Sequence, residues 1–370
     1  MKNTLRIGTV GTNFIVPRFI EAIRLAASDS PPGLSGSPSG LPAAPADAEI
    51  AAVYSRSAEN AEAFAGKQGA ALAFCDREAF LGSAGYNCVY VAAPNSLHYP
   101  WARDALLHGK SVICEKPFVS TGGELRDLIR LARERGLFLF EALPVSHLPN
   151  AARLRGLLDE IAPVRHVEMN FSKFSSRYPS FLEGENPNLF NPEFSGGALM
   201  DLNYYNLALT VYLFGEPEEI RYFPSSAVRG IDVSGTLILA YRGFNAVLSA
   251  CKDSPGESFV QIQGERGHLY SPSTSSNLRG GITIHRNGAY RETGPARRPR
   301  DGVAEKPATE QFQDQDRENT LFYEARDFIE SFVRGDPSCC FAPLEESLKY
   351  VSLTEKARKA AGILFPADKE

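Results

Sequence analysis

The chain has no stretch approaching the roughly 18 uninterrupted apolar residues that a membrane span requires, so no membrane partner is expected. Its first residues lack a basic region followed by a long apolar run and a small-residue cleavage site, and run straight into a strand-like segment, Leu5 to Val10. Basic charge is also scarce. Lys and Arg number 39 against 44 Asp and Glu, a net charge of −5, which argues against nucleic acid as the main partner. The one local basic run, Arg297-Arg298-Pro299-Arg300, lies in polar sequence and reads as a solvated loop. Six cysteines are present (Cys75, Cys88, Cys114, Cys251, Cys339 and Cys340), and none falls in a C-x-x-C pattern. Free thiols in a reducing, cytoplasmic setting are therefore expected, and a metal site is not.

What is present is an ordinary globular balance, 43% hydrophobic and 22% charged, over a length that suits two domains. Residues 1–143 alternate short apolar runs with helical patterns. Strands are expected at Leu5–Val10, Glu49–Tyr54, Leu72–Phe74, Cys88–Ala92, Ser111–Cys114 and Leu137–Phe140, with helices near 14–26, 57–66, 77–81, 96–108 and 121–135. Apolar runs without polar alternation suit strands buried on both faces, and the alternation with helices predicts a doubly wound parallel α/β domain. Residues 28–48, rich in Pro, Gly, Ser and Ala, interrupt this pattern and read as a flexible insertion.

Polar and small residues stand at the ends of these strands, where open α/β sheets bind ligands. After the first strand comes Gly11-Thr12-Asn13-Phe14-Ile15-Val16. Gly11 sits where a dinucleotide fingerprint has its first glycine, but Asn13 and Val16 occupy the second and third positions. Asn13 tolerates the left-handed conformation better than most residues, so the turn can survive. N–H groups near Phe14 and Ile15 would then face an anion at the helix start. The second strand ends in Tyr54-Ser55-Arg56-Ser57, with a hydroxyl and a guanidinium where an NAD site commonly has a carboxylate, which favours NADP over NAD. The fourth ends in Ala93-Pro94-Asn95-Ser96-Leu97-His98, and the fifth in Glu115-Lys116-Pro117.

These motifs, in this order and each at a strand end, resemble the Gfo/Idh/MocA family of nicotinamide-dependent sugar and polyol oxidoreductases. The resemblance implies an N-terminal Rossmann-type domain followed by an α+β domain, residues 144–370, with a large, mainly antiparallel open sheet. Strands are expected near 165–174, 218–224, 235–241, 245–252, 258–263 and 281–286, with loops over the rest of 271–317. Helices are expected near 149–160, from Gly197 to Phe214, near 318–334 and near 343–363. Asp201 and Tyr205, four apart and so on one helical face, match the family's Asp-x-x-x-His or Asp-x-x-x-Tyr pattern. Asn203 stands where glycine is common, which bears on pocket shape.

On this reading the cofactor contacts are Gly11, Thr12, Asn13, Phe14, Ile15, Ser55, Arg56, Ala93, Pro94, Asn95, His98, Glu115 and Lys116. Tyr205 handles the proton, helped by the positive charge of Lys116, while Asp201 orients the pair, and the roles of Lys116 and Tyr205 are exchangeable. Lys173, Arg177, Tyr178, Asn188 and Asn191 are candidates to hydrogen-bond a polyhydroxylated substrate. A homodimer or homotetramer through the second-domain sheet is expected. A cofactor- or ligand-sensing protein without turnover is the rival reading, favoured by the broken glycine fingerprint and opposed by the retained Lys116, Asp201 and Tyr205.

Overall fold

A computed structural model describes residues 4–29, 48–287 and 308–369. Most of the proposed insertion at 28–48 and the basic run at 297–300 lie outside these residues. Six parallel strands make the first sheet: β1 Leu5–Val10, β2 Ala48–Tyr54, β3 Leu72–Phe74, β4 Cys88–Val91, β5 Ser111–Glu115 and β6 Leu139–Ala142. Their order is β3-β2-β1-β4-β5-β6, so the chain reverses direction across the sheet between β1 and β4. Central strands are buried on both faces, as their unbroken apolar runs demand; Cys88 to Val91 and Val112 to Cys114 are all within 1% of full burial. Helices α1 Ile15–Ser28, α2 Ala58–Gln68, α3 Arg77–Gly82, α4 His98–Leu107 and α5 Gly122–Arg135 make the crossovers. Their ends carry local stop and start signals. Ser57 and Asp76 accept N–H bonds at the starts of α2 and α3, and Thr121 with Glu124 forms a capping box on α5.

The second sheet has eight strands: β7 Val164–Ser172, β8 Glu219–Val228, β9 Ile231–Tyr241, β10 Phe244–Cys251, β11 Phe259–Gly264, β12 Gly267–Ser271, β13 Ile282–Arg286 and β14 Thr309–Phe312. The order is β14-β13-β12-β11-β7-β10-β9-β8, and only the β7–β10 pairing is parallel. β12 and β14 were not anticipated. β12 is a short return strand across the tight Glu265-Arg266 hairpin, and β14 is a four-residue polar strand at the sheet edge, too short for a readable alternation. The helix expected at 149–160 is two, α6 Pro149–Gly156 and α7 Leu158–Ile161. A short α8 Tyr178–Leu182 follows β7. The helix expected from Gly197 begins as a π-helical turn, Leu199–Asn203, and becomes regular only in α9 Tyr204–Phe214.

The last helices return to the first sheet's layer. α10 Leu321–Arg334 packs on α1, where Asn319 just before it bonds the Arg18 carbonyl (2.8 Å) and the Glu21 carboxylate (2.9 Å). α11 Phe341–Ala360 packs on α5 and β6, and its Glu355 accepts the Gly122 N–H at 2.8 Å. Its Arg358 is fully buried, bonded to the Ser120 carbonyl (3.0 Å) and paired with Asp368. The C-terminal stretch therefore straps the two sheets together.

Candidate active site

The rim beyond the carboxyl ends of β1, β2, β4 and β5 is the crevice that the sheet order creates. Gly11 is required at the first turn. Its φ is +100°, and a Cβ there would stand 2.7 Å from the Ala92 carbonyl oxygen. Asn13 does not adopt the left-handed conformation expected of it. Instead its carboxamide bridges the turn, donating to Ala92 O (2.7 Å) and accepting the Ile15 N–H (3.1 Å). Ile15 is thus satisfied by a side chain and is not free for an anion. Thr12, Asn13 and Phe14 are the residues whose backbone N–H groups have no protein partner among the described residues. A turn held open by glycine, with three N–H groups beside a helix start, fits a dinucleotide pyrophosphate. Phe14 is 80% exposed at its crest.

At the end of β2, Ser55 donates its N–H to Phe74 O (3.1 Å), Ser57 caps α2, and Arg56 is exposed with its guanidinium unbonded among the described residues. After β4, Ala93, Pro94 and Asn95 line the rim, and Asn95 reaches across to the Ser195 carbonyl (2.8 Å). His98 follows on the same turn. It is buried, and its two ring nitrogens lie 2.9 Å from Pro117 O and Ala93 O. Burial lowers its pKa, against the pull of those carbonyls. It clamps the β4 and β5 turns to each other through those two carbonyls. Glu115 is likewise held inward, accepting the Tyr90 hydroxyl proton at 2.6 Å; burial raises its pKa while Tyr90 and Lys116 oppose the rise.

Lys116, which precedes a cis bond to Pro117, crosses to the second domain. Its ammonium donates to the Asp201 carboxylate (Oδ1, 2.8 Å) and to the Asp201 backbone carbonyl (2.8 Å). Asp201 sits in the middle of the π-helical turn, where the Tyr204 N–H reaches back five residues to Leu199 O. The turn is itself anchored by Asp232 of β9, which accepts the Leu199 N–H (2.6 Å) and the Tyr222 hydroxyl proton (2.6 Å). Gly197 makes room: its φ is +108°, and a Cβ would collide with the Asp232 carboxylate. Asn203 is held inward. It is fully buried and bonds Leu248 O at 2.9 Å, tying the turn to β10.

Tyr205 lies under Lys116, with the ammonium 4.6 Å from its ring centre. The expectation that Lys116 would bring the phenol down toward neutrality is not met. Burial raises its pKa, and the pull of Lys116 only partly offsets this. Lys116 is itself held protonated: burial works against its charge, but Asp201 and the neighbouring groups more than compensate. Asp201 is held well below the usual carboxylate range, its own burial being overcome by two lysines. The second is Lys252, at the end of β10, ion-paired with Asp201 Oδ2. Sequence reasoning missed it. The signal was a charged Lys252-Asp253 pair ending an alternating strand, the same kind of oddity that drew attention to Glu115-Lys116.

The substrate candidates are not brought together. Lys173 and Arg177 are exposed, and Tyr178 packs its ring among Phe174, Phe181 and Phe190. Asn188 is exposed, and the Asn191 carboxamide oxygen is taken up by the Glu193 N–H (3.0 Å) in a buried loop turn.

Two family models match the chain: "Oxidoreductase family, NAD-binding Rossmann fold" over residues 5–143, and "GFO/IDH/MocA C-terminal domain" over residues 152–270. The chain is 36% identical to scyllo-inositol 2-dehydrogenase (NADP(+)) IolU of Bacillus subtilis, across 98% of this chain and 99% of that protein. It is 26% identical to trans-1,2-dihydrobenzene-1,2-diol dehydrogenase of Mus musculus, across 87% of this chain and 91% of that protein. Among solved structures, KijD10, a 3-ketoreductase from Actinomadura kijaniata in complex with NADP and TDP-benzene, shares the fold with a TM-score of 0.74 at 21% identity, covering 96% of this chain and 97% of that one. With both halves matched, in the order the two sheets follow, the chain belongs to the Gfo/Idh/MocA family of oxidoreductases.

Proposed function

We propose that the chain is an NADP-dependent oxidoreductase moving a hydride between the nicotinamide and a CH–OH or C=O carbon of a polyhydroxylated small molecule. The observation that carries this is the meeting of Lys116, Asp201 and Tyr205 beside a glycine turn fit for a pyrophosphate. NADP is favoured over NAD because Ser55 and an exposed Arg56 stand where a carboxylate would hold a ribose diol. The NADP(+) in the name of the Bacillus subtilis relative supports the same choice.

When bound, the nicotinamide supplies or takes the hydride. Lys116 places a fixed positive charge and a hydrogen-bond donor at the substrate oxygen, Asp201 aims it, and Tyr205 carries the proton. Both Lys116 and Tyr205 hold their protons near neutrality. The resting set is therefore arranged to protonate a carbonyl oxygen as the carbon is reduced. In the oxidising direction Tyr205 must first lose its proton, so that direction gains with rising pH.

The division into residues 1–143 and 144–370 is kept in this reading, with α10 and α11 crossing back over the first domain. Val247, Ser249, Thr236 and Ile238 leave one face of the second sheet half-exposed, which supports assembly of copies through that face. A cytoplasmic location is supported by six cysteines that are all free thiols. The test is to titrate NADPH and NADH by fluorescence, then to screen polyols and their ketones for absorbance change. Tight NADPH binding with turnover on a polyol or its ketone is expected. Tight binding with no turnover on a broad panel would favour a sensor instead, and no binding of either cofactor would overturn both.

A further inference from the structure

Lys252 is fixed more firmly than a solvated strand-end lysine. Its N–H bonds Val233 O (2.9 Å) on β9, and its carbonyl accepts the Ser175 N–H (2.8 Å) from the segment after β7. Its side chain is only 4% exposed, and its ammonium meets Asp201 Oδ2. Lys116 holds the opposite oxygen, Oδ1, at 2.8 Å. A lysine is disfavoured in a buried position unless its charge is put to use or paired.

The charge balance is the informative point. A carboxylate with one lysine is a neutral pair, and Asp201 with Lys116 alone would be such a pair. Here one carboxylate is shared by two ammonium groups, leaving one positive charge uncompensated within the set. Two further carboxyl groups and a phenol stand close to that trio. Asp232 on β9 is buried with its pKa raised by that burial, and is hydrogen-bonded to Leu199 and Tyr222. Glu115 at the end of β5 is raised likewise. Tyr205 on α9 is a neutral phenol. A fixed excess of positive charge matters where an oxygen gains negative charge as its carbon is reduced.

We propose that Lys252 is a positioning residue of this site: it holds Asp201 from the side opposite Lys116, so that the carboxylate aims Lys116 without cancelling its charge. This rests on the reading of Lys116 and Tyr205 as the groups that meet the substrate oxygen. If Lys252 were only a core filler, its loss would lower stability and nothing else.

The test compares Lys252→Met with Lys252→Arg in the full chain, using a substrate found by the screen above. Lys252→Met is expected to lower kcat by up to about a hundred-fold with KM for NADPH unchanged, because misplacement alone costs that much. It is also expected to move the alkaline limb of the oxidation profile upward, since Asp201 then neutralises Lys116. Lys252→Arg, which keeps the cation, recovers most of both. A second readout needs no turnover. Infrared titration of the cofactor-free protein, with Asp201→Asn to assign the band, should show Asp201 protonating at higher pH in Lys252→Met than in wild type. Equal losses in the Met and Arg variants, or an unmoved profile in Lys252→Met, overturn the proposal. If wild type turns over nothing, the oxidoreductase reading fails by itself, and an unchanged Asp201 titration in Lys252→Met then overturns the Lys252 linkage. Should Lys252→Met not fold, Lys252→Gln removes the charge while keeping a donor and serves the same comparison.

Discussion

Tyr205 and Lys116 set the chemistry at the scale of single residues, and both are protonated at rest for opposite electrostatic reasons. Burial disfavours phenolate, whereas Asp201 favours ammonium despite burial. Tyr205→Phe should therefore cost about 10²–10⁴-fold in kcat while NADPH affinity is kept. In wild type the oxidation rate should climb with pH, and steady-state profiles should show that climb lost in the Phe variant. Gly11 is a purely geometric case. Gly11→Ala forces a side chain into a left-handed φ against the Ala92 carbonyl, at a cost of about 1–3 kcal/mol. A lower midpoint in thermal unfolding and weaker NADPH binding should appear together. Both residues were legible in the sequence because each is a type whose presence there serves no core. His98 and Asn191 show the reverse: a polar side chain hydrogen-bonded to backbone looks, in one dimension, like one that faces a ligand.

The elements that carry the site are joined by buried polar contacts whose charge state depends on pH. Glu141 on β6 accepts the Tyr204 hydroxyl proton at 2.7 Å, which links the edge of the first sheet to α9. Burial pushes the Glu141 carboxyl up to about 7 from 4.5, with Ser347 and Tyr204 pulling the other way. The folded state thus prefers the protonated form. The stability this contributes is complete below pH 4.5, falls as pH rises through about 7, and is then lost. The difference is about 3 kcal/mol. Melting curves across that window should show a decline in wild type that is shallower in Glu141→Gln, whose side chain stays neutral; parallel declines would contradict the assignment. The parallel strands were plain in the sequence because both faces are buried and the runs are unbroken. The π-helical turn at Leu199–Asn203 was not, because a helical pattern of apolar residues does not distinguish a π turn from an α turn. What makes it is tertiary: Asp232 holding its first N–H and Lys116 meeting the carbonyl of Asp201.

Across the whole molecule, two sheets from separate halves of the chain put Lys116 on one wall and Asp201, Tyr205 and Lys252 on the other. The first wall could be read in order along the sequence, since each rim residue directly follows its own strand. The second could be read only where a helix kept Asp201 and Tyr205 four apart. Lys252 is 51 residues from Asp201, and only the folding of β10 beside the π-helical turn brings them together. α10 and α11 then hold the walls in register through Asn319, Glu355 and Arg358. The central claim is that this cleft reduces and oxidises a carbon through NADP under the charge of Lys116. The direct measurement is NADPH binding and NADPH-dependent turnover in wild type and Lys116→Met, side by side on one polyol-derived ketone. The account predicts near-equal NADPH affinity and a loss of roughly 10²–10³-fold or more in turnover for the variant. Turnover in Lys116→Met equal to wild type, or no NADPH binding by wild type, would contradict it.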